Sequence, residues 1–103
     1  MIKVSVMYPN GENAKFDMDY YCNSHIPMVL GHLGDACKDS SVEQGLGGGA
    51  PGEPPAFLAM GNLYFDSVEK FQGAFGPHAK TILADIPNYT NIQPVIQISE
   101  VKR

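Results

Sequence analysis

The chain has 103 residues, 44% of them hydrophobic and 10% aromatic. That suits one compact domain, residues 1–103, burying roughly 60–65% of its unfolded surface without disulfide staples. Seven Lys and Arg stand against eleven Asp and Glu, a formal charge of −4, and basic residues nowhere cluster, which argues against nucleic acid and anionic membranes as partners. No apolar run reaches the roughly 18 residues of a membrane span, and no charged-then-apolar leader opens the chain, so the expected location is cytoplasmic.

Cys22 and Cys37 lack C-x-x-C spacing and read as small, partly buried, reduced thiols. Cys22 and His25 have the i,i+3 spacing of a zinc pair, but further ligands are hard to find, so no metal is expected.

In chain order, "IKVSVMY" alternates Ile2, Val4, Val6 and Tyr8 with Lys3, Ser5 and Met7, the period of a strand, and Pro9-Asn10-Gly11 stops it. A helix follows from about Asp17 to Leu33. Asp17 is placed to cap it, Phe16 and Tyr21 to form a hydrophobic staple, and Asp19 to favour the first turn. Its inward stripe is Met18, Tyr21 or Cys22, His25, Val29 and Leu33, which puts a histidine among apolar residues. "ACKDSSVEQGL" is a weak, polar strand that fits an edge. Residues 45–56, "GLGGGAPGEPPA", form a long Gly/Pro loop, expected to be mobile and to gate a cleft.

"FLAMGNLYF" is apolar on both alternating sets and reads as a strand buried on both faces. Ser67 caps a helix carrying Val68, Phe71 and Phe75; Gly76-Pro77 breaks it, and a second segment holds Ile82, Leu83 and Ile86 before Pro87 closes it. "QPVIQISEV" is the last strand. The order βαββαβ specifies an α+β, ferredoxin-like four-stranded antiparallel sheet with helices on one face. A strand apolar on both faces then needs a cover on the other face, most simply the same face of a second copy.

Gly45, Gly47 and Ala50 match G-x-G-x-x-[GA], but Pro51, Pro54 and Pro55 forbid the helix a dinucleotide site requires. G-x-S-x-G, H-E-x-x-H and EF-hand patterns are absent. The pair His25 and Pro27 remains. Proline lacks the amide proton and crowds the carbonyl four residues earlier, so Pro27 is expected to release the Asn23 carbonyl, bend the helix and aim the imidazole into a gap. Imidazole titrates near neutrality. Two readings stay open: an acid/base in a pocket, or a hydrogen-bonded core histidine. Tyr8, Asn62, Tyr64 and His78 are the candidate binding groups beside it. His32, near a helix C-terminus, reads as solvated.

"IKVSVMYP", "FDMDYYCNSHIPMV" with its H-x-P, the Gly/Pro loop, "YFDSVEKFQGAFGPHA" and "NIQPVIQIS" together resemble the EthD family of the dimeric α+β barrel superfamily. The resemblance covers nearly the whole chain. It implies a homodimer of ferredoxin-like subunits pairing their sheets, each with a cleft between sheet and helices, and it places the family's H-x-P histidine at His25. The superfamily includes polyketide cyclases, muconolactone isomerases, cofactor-independent oxygenases and haem-degrading enzymes, so the fold does not fix the reaction. The chain has no Trp, which sets it apart from the Trp, His and Asn set of the haem-degrading subgroup. The expected function is cofactor-independent lyase, isomerase, cyclase or degradative chemistry on a small hydrophobic, aromatic or polyketide-like molecule, with His25 as acid/base. The alternative is a non-catalytic dimer that binds or shuttles a hydrophobic metabolite.

Overall fold

The computed structural model describes residues 1–103. The alternating opening segment forms β1 (Ile2–Pro9), which lies at the centre of a four-stranded sheet of order β2-β3-β1-β4. β2 is Asp39–Gln44, β3 Phe57–Phe65 and β4 Val95–Glu100. Every neighbouring pair is antiparallel. With the helical regions falling between β1 and β2 and between β3 and β4, this is the ferredoxin-like α+β arrangement.

The first helical region starts as its sequence dictates. Asp17 accepts the Tyr20 amide at 3.0 Å, and Phe16 meets Tyr21 edge-on at 4.9 Å between ring centroids, the staple that fixes the entry angle. The region is not one regular helix, however. A short α1 (Met18–Tyr20) passes into a π-helical turn (Tyr21–His25) and then α2 (Ile26–Leu33). The Ile26 amide bonds the Tyr21 carbonyl, five residues back. Pro27 thus falls in the first turn of α2, where a missing amide proton is tolerated. Just before the proline the hydrogen-bond register changes, a form that recurs at functional sites.

In the second region Ser67 caps α3 (Val68–Phe75), its hydroxyl accepting the Lys70 amide at 3.1 Å. A 3-10 turn at Gly76–His78 leads into α4 (Ala79–Ala84). The second segment is shorter than expected. Ile86 lies in a separate 3-10 turn (Ile86–Asn88), because Pro87 cannot donate and its ring would crowd the carbonyl four residues earlier.

Helices cover one sheet face. There Ile2, Val4, Leu63 and Phe65 meet Val29 and Leu33 of α2 and Ile82 of α4 in an aliphatic core. The opposite face carries Lys3, Ser5, Met7, Leu58, Met60, Asn62 and Tyr64 by strand alternation. It is mixed rather than uniformly apolar: Met60 and Tyr64 are half-buried, while Asn62 is buried. β2 is the expected polar edge, paired only to β3. Ile96 and Ile98, on the helix-bearing face of β4, remain 50% and 41% exposed, so the helices leave that edge uncovered.

The loop at 45–56 leaves the sheet at Gly45, whose amide bonds the Leu58 carbonyl. A Cβ there would sit 2.1 Å from the Phe57 carbonyl oxygen, so only glycine allows the close approach. No helix is long and apolar enough to cross a membrane.

Candidate functional site

The wider spacing of the π turn directs Tyr21 and His25 to the same side, where both are buried and their rings stack at 5.5 Å. Tyr8, at the end of β1, comes up from the sheet below. Tyr89 is brought in by the connection to β4. That segment is pinned to the chain before α1: Asp17 donates its amide to the Tyr89 carbonyl at 2.8 Å, and the Thr90 hydroxyl donates to the Lys15 carbonyl at 2.6 Å. Phe16 packs against Tyr8, Tyr21 and Tyr89. The result is a buried aromatic cluster at the other end of the sheet from the aliphatic core.

The polar atoms of this cluster form one chain of hydrogen bonds. His25 Nδ1 lies 2.8 Å from Asp85 Oδ2. Asp85 also accepts the Tyr20 hydroxyl and the Asn88 amide, each at 2.8 Å. Burial raises the Asp85 carboxyl, but the bonds from His25, Asn88 and Tyr20 outweigh it and hold the group below its ordinary value. An ionised Asp85 accepts only, so His25 Nδ1 carries a proton, and in its neutral form the ring offers its Nε2 lone pair elsewhere. Nε2 lies 3.4 Å from the Tyr89 hydroxyl, a long contact. Tyr89 in turn lies 2.6 Å from the Tyr8 hydroxyl, and the Tyr8 and Tyr21 rings meet edge-on at 5.6 Å between centroids. Burial above all pushes the Tyr8, Tyr21 and Tyr89 hydroxyls well above the usual phenol range, so all three stay protonated. No buried side-chain polar atom is left without a partner.

This chain borders a cleft between sheet and helices. The sheet contributes Val6, Tyr8, Gly61, Leu63 and Ile96; the helical regions contribute Tyr21, His25, Ile26, Val29, Phe75, Ile82, Leu83 and Ile86. Apart from His25 and the hydroxyls of Tyr8 and Tyr21, the side chains lining it are apolar, and none carries a fixed charge. Gly61 is necessary here, since a Cβ would lie 2.1 Å from the Tyr21 hydroxyl. A histidine held by a carboxylate beside an apolar cleft can take and return a proton.

Two of the five sequence candidates, His25 and Tyr8, reach the cleft. The other three do not. Asn62 and Tyr64 have the opposite strand parity and face away: Asn62 donates to the Ser41 hydroxyl at 3.2 Å, and Tyr64 lies with Lys3, Ser5, Gln97 and Ser99 in a shallow depression on the far face. His78 stacks on His32 at 4.3 Å, and neither borders the cleft. Nor does any residue of the 45–56 loop line it, so the loop is not placed to gate it. Cys22 and His25 diverge: the cysteine is exposed, its thiol 3.6 Å from the Met18 sulfur, while the histidine points inward.

Sequence reasoning missed Asp85 and Tyr89 as site residues. "DIPNY" reads as a helix terminator, and nothing in it marks Asp85 as the partner of a histidine 60 positions earlier. Tyr21 was legible only as part of the helix stripe.

Fold and site together define a ferredoxin-like α+β protein with an apolar cleft and a carboxylate-held histidine at its inner end. The chain belongs to the EthD family: the EthD domain matches residues 10–93. Among solved structures it is similar to an EthD-like protein from Ralstonia eutropha JMP134, at 55% identity over 99% of this chain and 94% of that one, with a TM-score of 0.93. A protein of the ethyl tert-butyl ether (EthD) family from Bacillus halodurans C-125 shares 23% identity over 98% of each chain, with a TM-score of 0.73. HapK from Hahella chejuensis shares the fold at 9% identity over 100% of this chain and 95% of that one, with a TM-score of 0.58. No curated protein matches the sequence.

Proposed function

We propose that this protein is a small cofactor-independent enzyme, of lyase, isomerase, cyclase or degradative type, in which His25 serves as acid/base toward an uncharged hydrophobic molecule. The observation that carries the reading is the Asp85–His25 pair, 2.8 Å apart, at the inner end of a cleft whose other lining is almost wholly apolar. Asp85 fixes the ring orientation and steadies the imidazolium that forms when His25 takes a proton. Neighbouring phenol groups, kept protonated by burial, are donors for the oxygen on which negative charge develops. The absence of fixed charge along the cleft favours a neutral substrate, aromatic or polyketide-like, over a carboxylate or phosphate. Two copies pair through their helix-free sheet faces; Val95 of β4, exposed on that face beside Met7, supports this. Light scattering at micromolar concentration should then give twice the chain mass.

The aliphatic lining equally suits a carrier that holds a hydrophobic metabolite without changing it. His25→Ala and His25→Gln separate the two. With a neutral fluorescent dye as cleft probe, the enzyme reading expects folding and probe affinity to be largely kept, and turnover of a true substrate to fall by about 10²–10⁴. A large loss of stability with unchanged probe binding would make His25 a structural residue and remove the acid/base from this reading.

A further inference from the structure

Both ring nitrogens of His25 are already engaged by the protein, Nδ1 by Asp85 and Nε2 by Tyr89. Tyr89 is buried behind the cleft and is not part of its lining, whereas Tyr8, bonded to Tyr89 at 2.6 Å, is. The hydrogen-bond directions follow from the acceptor at the end. In the neutral ring Nε2 offers a lone pair, so Tyr89 donates to it, and Tyr8 donates to Tyr89. Both hydroxyls are then polarised toward His25. His25 borders the cleft too, but its ring nitrogens are turned to Asp85 and Tyr89, so a ligand oxygen in the cleft reaches this chain at its Tyr8 end.

We propose that Tyr8 is the catalytic residue that touches the reacting oxygen, that protons pass from it through Tyr89 to His25, and that the substrates are accordingly enols or phenols, ionised at O–H. This rests on the acid/base reading of His25 and adds the route and the class of acid. In the forward step the substrate O–H bond breaks and its proton goes to the Tyr8 oxygen. The Tyr8 proton moves to Tyr89, and the Tyr89 proton moves to His25 Nε2. The products are an enolate or phenolate hydrogen-bonded to Tyr8 and an imidazolium facing the Asp85 carboxylate. No tyrosine ends as a phenolate, in keeping with burial, which disfavours that form for all three. The reverse step returns the proton to the substrate. Tyr89 touches no substrate and acts as a positioning and relay group.

Para-nitrophenol tests this, because its colour reports ionisation and its ionisation falls near neutral pH. The wild-type protein should bind it in the cleft and lower its apparent ionisation midpoint, the released proton residing on His25. Tyr89→Phe keeps the ring and leaves the cleft lining untouched, so affinity for the neutral probe should stay within about threefold, less than the loss of one typical hydrogen bond would give. The downward shift should disappear. Tyr8→Phe should lose the shift as well, together with part of the affinity. Circular dichroism and melting temperature establish that each variant is folded. If Tyr89→Phe retains the full shift while His25→Gln loses it, His25 contacts the ligand directly and the relay is overturned, although the acid/base reading survives. If His25→Gln also retains the shift, that reading falls too. A wild-type protein that binds the probe without shifting it, or fails to bind it, overturns the relay.

Discussion

The two ends of the central strand pair β1–β3 are both buried, but by different means. At one end Ile2 stands opposite Phe65 and belongs to a cluster of aliphatic and phenyl side chains. At the other, Tyr8 stands opposite Ala59 and belongs to a cluster of tyrosines. Phe65 and Tyr8 are equally inaccessible, at 0% and 1% exposure. The first end is held by contacts that are individually weak and without direction, so volume decides what fits. The second is held by directed bonds among Tyr8, Tyr89, His25 and Asp85, so orientation decides. The cleft lies between the two: Val29, Leu63 and Ile82 of the aliphatic cluster line it together with Tyr8, Tyr21 and His25.

The largest expected effect falls on the aliphatic end. Phe65→Ala should cost about 3–5 kcal/mol in urea unfolding, yet leave probe affinity of the folded fraction unchanged, because Phe65 does not border the cleft. Loss of probe binding in a folded Phe65→Ala protein would show that the two ends are not separable. At the polar end, Gly61→Ala places a methyl group against the Tyr21 hydroxyl. It should cost about 1–3 kcal/mol by overpacking and weaken probe binding by displacing Tyr21; unchanged binding would mean that the tyrosine geometry is less exacting than its hydrogen bonds suggest.

Asp85→Asn should have a smaller and pH-dependent effect. The folded carboxyl titrates below its ordinary value of 3.8, so its contribution is present above that pH and is lost as the pH falls through the folded value. The variant should be less stable than wild type by about 1 kcal/mol at neutral pH, the scale of a net hydrogen bond. The difference should shrink in urea titrations carried out below pH 3.8. A difference that persists in acid would place the cost in packing rather than charge. Least affected should be His78→Ala, away from both ends: stability within about 0.5 kcal/mol of wild type and unchanged probe affinity.

The sequence was most informative where the physics is local. Alternation in "IKVSVMY", the Asp17 and Ser67 caps, the Phe16–Tyr21 staple and the polar edge strand depend on residues a few positions apart, and helix periodicity alone turned His25 inward. Strand alternation also separated Asn62 and Tyr64 from Leu63 and Phe65, but which set faces the helices depends on what packs there, and that placed both candidates on the far side.

The partners of His25 were decided by tertiary structure alone. Asp85 and Tyr89 lie 60 and 64 residues away, and they arrive because the segment before β4 is hydrogen-bonded to residues 13–17. The π turn likewise answers to its surroundings: it places Pro27 where no amide donor is needed while Tyr21 and His25 stay buried together. A sequence carries its short-range preferences explicitly, because each is fixed by neighbours along the chain. Long-range hydrogen bonds depend instead on register and loop path, which the whole fold settles at once.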